Sequence, residues 1–488
     1  MSTSGGASRV PLGSPPSGSA PSGAPLGPAP SGASPGPAPS GASTRLRLTG
    51  ADGFLRAFDV ETRRCNGASH LAQVVLRLGP GFDAEAFHAV LADAARANPI
   101  LRAPIRRTLG VGTPAYRLDA ARNDAWPAFT LHPAAHSAAL GRSPIPPLFF
   151  ERLNEVRSAR RGELLRVDAV PRGGDQPGTD LAFTWLHMLL DGSGSERFVQ
   201  FLEARRRGTA PAVPPADRAD TPPEVALPAS ARQRGAMAMT WQRGMQELGT
   251  LGVRSLAGPA RDVQQALVYD VHSFSAEESA GILARAASLA GFLTPMLFYV
   301  AAAIRAHDAV LRARGSVPES YVVPLPVDLR PKGGEGGVFR TRVSMIWLQV
   351  RADRVHDLAL LLADLKEVRR RAIREHQVEN GVAAMDYALR APARLYARMT
   401  RRALRGELCS FFFGYTASFC DGLDEFFGAR LLDGFHAPSV PPSPGSGVVF
   451  SLCGTHLNVS HVRQQGVLSE AELALFRAAL VRDLTDGA

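Results

Sequence analysis

Lysine is almost missing from this chain. Of 55 basic residues only Lys332 and Lys366 are lysine, so the formal charge of +10 is carried by arginine. An arginine bias that runs evenly along the sequence is a matter of composition. A nucleic-acid footprint would gather on one face with interleaved aromatics, and no such cluster excuses the charge, so nucleic acid is not expected as a partner. Cysteine is scarce too. Cys65, Cys409, Cys420 and Cys453 show no C-x-x-C spacing and no histidine partner pattern, which argues against zinc and redox chemistry and fits a reducing cytoplasm. No apolar run reaches the ~18 residues a membrane span needs, and the N-terminus lacks a charged-then-apolar export pattern. There is no P-loop, no G-x-G-x-x-G dinucleotide fingerprint and no strand-borne G-x-S-x-G elbow, which removes the commonest phosphate, dinucleotide and acyl-enzyme chemistries.

What remains is a long, well-filled globular chain: 488 residues with 45% hydrophobic content are enough for more than one domain. Residues 1–44 are mostly Pro, Gly, Ala and Ser in imperfect repeats and are expected to stay disordered, because they hold little that offsets the entropy of ordering a backbone. A second Pro-rich break at 205–230 divides the rest into two halves. The expected organisation is a first subdomain over 45–205, a linker with an amphipathic, Met-rich helix over 206–261, and a second subdomain over 262–488.

Both halves alternate strand and helix. The first has a strand at 70–79, a helix at 83–102, strand-like "ELLRVDAVP" and "DLAFTWLH", and a helix at 193–207. The second opens with a strand at 266–274, and Ser275 with Glu278 forms a capping-box signature before a helix at 276–290. A strongly apolar helix at 294–315, an Arg-studded helical region at 355–405, late strands and a helix capped by Ser469 and Glu472 follow. An α/β fold is the reading.

One short stretch bears chemistry. In "FTWLHMLLDGSGSERF", Leu181, Phe183, Trp185 and His187 share one face of a period-two strand, so His187 ends an apolar row. Burial favours its neutral imidazole, the form that takes up a proton, although a lone histidine on an apolar face is ordinarily a satisfied core group. Gly192 lets the chain turn sharply from strand to helix, and Asp191 can then point back into the protein.

Strand, H-x-x-x-D-G and helix in that order resemble the chloramphenicol acetyltransferase-like superfamily of CoA- or carrier-dependent acyltransferases. "ANPILRAPI" (97–105), "GELLRVDAV" (162–170), "VPLPVDLRP" (323–331) and "PPSPGSGVVFSLCGTHLNVSHV" are similar to further segments of that superfamily. Within it, "FLRAFDVETRRCNGASHLAQVVLRLG" and "LAGFLTPMLFYVAAAIRAH" look most like bacterial wax ester synthase/diacylglycerol acyltransferases, with condensation domains of peptide synthetases as near neighbours. The chain departs from these relatives in three places. Leu186 stands where many carry a first histidine, "SFFFGYTASF" (410–419) replaces the usual late Asn- or Trp-bearing segment, and "GGVFRTR" lacks a Gly-Asn.

The resemblance implies two such subdomains forming a pseudodimer with a tunnel between them. It implies His187 as the catalytic base, Asp191, Gly192 and Arg330 as structural at the site, and Trp185 and Gly414 as substrate-binding, with no metal and no cofactor. It also implies that Asp191 pairs with Arg330; the residues alone suggest for Asp328 and Arg330 a solvated face or a local ion pair. The expected activity is transfer of an acyl group from CoA or an acyl carrier protein to a hydrophobic alcohol, with lipid as the main target and a peripheral membrane contact as a further expectation. The rival readings are amide or ester formation on a carrier-bound natural-product intermediate, and a catalytically silent binding member of the fold. The apolar side chains Met296, Leu297, Phe298, Val300 and Ile304, with "SFFFGY", are expected either to face His187 as an acyl channel or to fill the second core.

Overall fold

The computed structural model describes residues 9–10, 45–108, 111–120, 127–133, 145–174, 176–214, 217, 224–258, 265–331 and 336–485. The Pro/Gly/Ala/Ser segment lies outside these residues except for β1 (Arg9–Val10), as do 215–216 and 218–223 of the 205–230 break.

The first half runs β2 (Arg45–Arg47), α1 (Gly50–Asn66), β3 (Leu71–Leu78), α2 (Ala84–Ala97), β4 (Ile105–Thr108), β5 (Val111–Arg117), β6 (Ala128–Leu131), α3 (Pro147–Arg152), β7 (Leu165–Arg172), β8 (Gly178–Leu186) and α4 (Gly192–Arg206). The row on β8 buries as its period predicts. Phe183 meets Phe87 of α2 at 5.9 Å and Phe198 of α4 at 6.3 Å, so both helices cover one face of the sheet. Helix α2 is shorter than the periodicity suggests. Pro99 disfavours helical backbone at Asn98, whose N–H closes the helix on the Ala94 carbonyl, and residues 99–102 form a separate 3-10 turn.

Helix α5 (Ala231–Leu248) crosses to the second half. There follow β9 (Leu267–Ser273), α6 (Ala276–Ala290), α7 (Met296–Ala313), β10 (Ser320–Asp328), β11 (Val343–Arg351), α8 (Leu358–Arg374), α9 (Gln377–Ala388), α10 (Ala393–Arg402), β12 (Phe412–Thr416), β13 (Glu425–Phe426), β14 (Ala429–Pro438), β15 (Ser446–Cys453), β16 (His456–Gln464) and α11 (Glu470–Thr485). The capping box at Ser275 and Glu278 is made in both directions. No helix among the described residues is long and apolar enough to cross a membrane.

Two lobes result, each with its own core. The first is built on the sheet β1-β6-β7-β8-β3-β14-β13 and the second on β12-β15-β16-β9 with the β10-β11 pair. The lobes interlock, because β14 leaves the second half and pairs antiparallel with β3, with His436 opposite Val74. The α7 side chains Leu297, Phe298, Val300 and Ile304 are fully buried in the second core, packed with strands of that lobe. They fill the second core, one of the two roles expected for them, and an apolar helix face committed to a core has no side left to present to a ligand.

Candidate active site

The chain leaves β8 at Leu186 and makes a turn before α4. Trp185 is buried beneath it, and its indole N–H donates to the Leu190 carbonyl at 2.8 Å. Trp185 therefore braces the turn from below. The His187 backbone N–H donates to the His70 carbonyl at 3.1 Å, fixing the Cα, and the ring lies over the His70 ring with centroids 5.2 Å apart.

The tautomer follows from the partner. His187 Nδ1 is 3.3 Å from the Leu190 carbonyl oxygen, which can only accept, so Nδ1 carries the hydrogen and the Nε2 lone pair is left as the base. Burial pushes the His187 pKa down, and nearby His436 adds to this, while its backbone contacts and Asp191 oppose it. Burial also holds His70 well below the ordinary histidine range, and His187 adds to that effect. His187 is half-buried and keeps an opening; His70 is enclosed.

Asp191 caps α4. One carboxylate oxygen accepts from the Gly194 N–H at 2.7 Å and the other from the Arg342 N–H at 2.7 Å, with Arg330 Nη1 3.0 Å away. The Arg330 side chain is 1% exposed and that of Asp191 3%, so this is a buried ion pair between lobes. Arg330 also reaches Asp328 at 2.9 Å and donates Nε–H to the Gly337 carbonyl at 2.6 Å. Burial works against its charge, but Asp191 and Asp328 outweigh that and raise its pKa.

The segment 336–342 thereby straps onto the turn. Arg340 N–H donates to the Leu189 carbonyl at 2.7 Å, and Thr341 N–H donates at 2.8 Å to Asp52, the buried third residue of α1, which completes a capping box with Thr49. Asp217 receives the Val338 N–H at 2.7 Å and pairs with Arg342 at 2.8 Å. Gly192 lies beside the turn, and a Cβ there would come 4.0 Å from His436 Cε1. His436 is held by Glu196 of α4 through Nε2 at 2.8 Å. Gly414 lies away from this turn, on β12 beside Val449 of β15, in the second lobe.

Sequence reasoning missed His70, Asp52, Glu196, Arg342 and His436. Glu196 stands in the same stretch as His187, on the helix that follows it, while sheet order and the lobe crossing bring the other four in from afar. Where relatives have a first histidine, Leu186 is buried in the core, while His70 at the start of β3 supplies a second ring against His187.

No family model matches the chain, and no curated protein does. Solved structures do. The first condensation domain of the CDA synthetase is 16% identical, with TM-score 0.66 over 91% of this chain and 96% of that one. The trichothecene 15-O-acetyltransferase from Fusarium sporotrichioides is 13% identical, with TM-score 0.64 over 90% and 95%. This is the chloramphenicol acetyltransferase-like fold. A starter condensation domain of rhizomide synthetase, a double mutant in complex with C8-CoA and Leu-SNAC, shares it at 15% identity and TM-score 0.59 over 91% and 94%.

Proposed function

We propose that this protein transfers an acyl group from a thioester to a hydroxyl or amine, with His187 as the general base. The observation that carries the reading is the single-handed imidazole: Nδ1 committed to Leu190, Nε2 left as a lone pair at an opening, and burial keeping the ring neutral. In the reaction, Nε2 takes the acceptor's proton as its oxygen or nitrogen attacks the thioester carbonyl. The tetrahedral oxyanion then collapses, the C–S bond breaks, and the departing thiolate takes the proton back from Nε2. No activated nucleophile is required, because attack is direct. Asp191, Gly192 and Arg330 hold the turn, and a buried pair fixed by backbone N–H groups suits a positioning role.

The donor we infer is acyl-CoA or an acylated carrier, entering between the lobes. A neighbour of the same fold was captured with C8-CoA and Leu-SNAC, which favours thioester chemistry. A hydrophobic alcohol as acceptor, giving an ester in the manner of wax ester synthases, is the finer reading. Condensation-type amide formation is the alternative, favoured by the condensation domains among the neighbours. Mass spectrometry of products from octanoyl-CoA offered 1-octanol, octylamine or Leu-SNAC separates them. Ester from the alcohol supports the first reading, amide the second, and no product from any acceptor supports a silent binding member of the fold.

A further inference from the structure

The chain has nine methionines, and five of them, Met239, Met245, Met345, Met385 and Met399, line one cavity of about 520 Å³ between α5, α9, α10 and β11. His187 is not among the lining residues. Phe54 of α1 forms part of the wall; it packs on Phe58 at 4.3 Å, Phe58 meets His70 edge-on at 5.5 Å, and His70 stacks on His187. The cavity thus lies behind the candidate base, separated from it by aromatic rings.

We propose that this cavity binds the aliphatic chain of an anionic single-chain amphiphile, with the headgroup resting on Arg390 at its mouth. Three observations support it. The walls are thioether, alanine and aromatic side chains, with few polar groups, and methionine adapts to ligands that lack a fixed shape. An apolar cavity of about 150 Å³ accommodates benzene, so one more than three times larger has room for a chain on the order of 12–18 carbons. Met239 and Met399 are 55% and 52% exposed although they line the cavity, so it opens to solvent between α5 and α10.

The mouth supplies the charge. Arg390 is exposed in the turn between α9 and α10, and its guanidinium lies 5.4 Å from the ring centre of Tyr387, itself a lining residue. Asp386 is the acidic group nearest to Arg390, 3.8 Å away. A guanidinium beside an apolar opening matches a carboxylate or phosphate joined to a hydrocarbon tail. The proposal takes from the acyl-transfer reading only the expectation that acyl chains are among this protein's ligands, and the binding itself does not need His187.

Trp241 and Trp347 line the cavity, so intrinsic fluorescence reports occupancy. Titrating the full-length protein with 12-bromododecanoate should quench tryptophan emission saturably, and dodecanoate should reverse it. Across unbrominated fatty acids affinity should rise up to about fourfold per added methylene until the cavity is full. Ala384→Phe on α9 and Ala238→Phe on α5 should each weaken binding tenfold or more, and Arg390→Gln should weaken dodecanoate but not 1-dodecanol. Fatty acid and phosphate-headed probes, dodecanoate against dodecyl phosphate, identify which anion is preferred. Absent quenching, affinity indifferent to chain length, or unchanged binding in a folded Ala238→Phe protein overturns the proposal. So does a stable dimer in which the cavity is covered by a second copy. His187→Ala should bind the bromoacid as wild type does, so failure of the acyl-transfer reading would appear in turnover and not here.

Discussion

Asp191 does the most with the fewest atoms. Its carboxylate receives two backbone N–H groups and one guanidinium, and an asparagine has only one oxygen to offer them. Asp191→Asn should leave Arg330 buried without its full counter-charge, a loss of about 3–5 kcal/mol for a pair of this kind. Thermal unfolding of the variant checks this, and a melting temperature equal to wild type would contradict it. Arg330 shows how far residue-scale reading reaches. Its position two residues after Asp328 suggests a local ion pair, which the structure contains, but the second and buried partner came only from resemblance to relatives. For Trp185 the resemblance implies a substrate contact, and what the structure adds is that its buried indole N–H supports the turn.

At the scale of elements, the strap and the α4 N-terminus meet at Gly194. A Cβ there would sit 2.5 Å from the Val338 carbonyl oxygen and 3.0 Å from Arg330 Nη2. Glycine to alanine inside a helix ordinarily stabilises by up to about 1 kcal/mol. Here the sign should reverse, since backbone on another element has to move, and Gly194→Ala should lower both stability and activity. Denaturant midpoints check the sign; a stabilised variant would show that the strap is not tightly seated. Strands and caps of this chain were legible because they depend on local pattern: the β8 row and the Ser275–Glu278 box. The role of α7 was not, since an apolar helix reads alike whether it faces a ligand or a core. His70 and His436 were equally hidden, because the register of β3 against β8 and β14 decides what stands beside the turn.

Over the whole molecule, among the described residues, five enclosed or half-enclosed histidines are held below the ordinary range: His70, His88, His187, His307 and His461, with burial the leading cause in each. His307 falls to about 4, its Nδ1 against the Ala303 carbonyl and its Nε2 near Ser446. As pH drops below about 6.5 the unfolded chain takes up protons that the folded one refuses, so stability decreases through the window from 6.5 to 4. His307 alone should account for about 1 kcal/mol of loss by pH 5.5. Buried carboxyls with raised pKa, such as Asp52 and Asp433, act in the opposite sense, so the test compares wild type with His307→Gln. The variant should lose less stability than wild type between pH 7.5 and 5.5, and parallel curves would contradict the assignment.

The central claim is that the Nε2 of His187 carries the proton in acyl transfer, and single-turnover release of thiol from octanoyl-CoA, with 1-octanol as acceptor, tests it most directly. Wild type should release thiol in step with product, with a rate that holds to below pH 6.5 because burial lowers the pKa of the base. His187→Ala, folded as wild type by circular dichroism, should be slower by about 10²- to 10⁴-fold, the usual share of a general base. A variant that releases thiol and forms product at the wild-type rate would contradict the account.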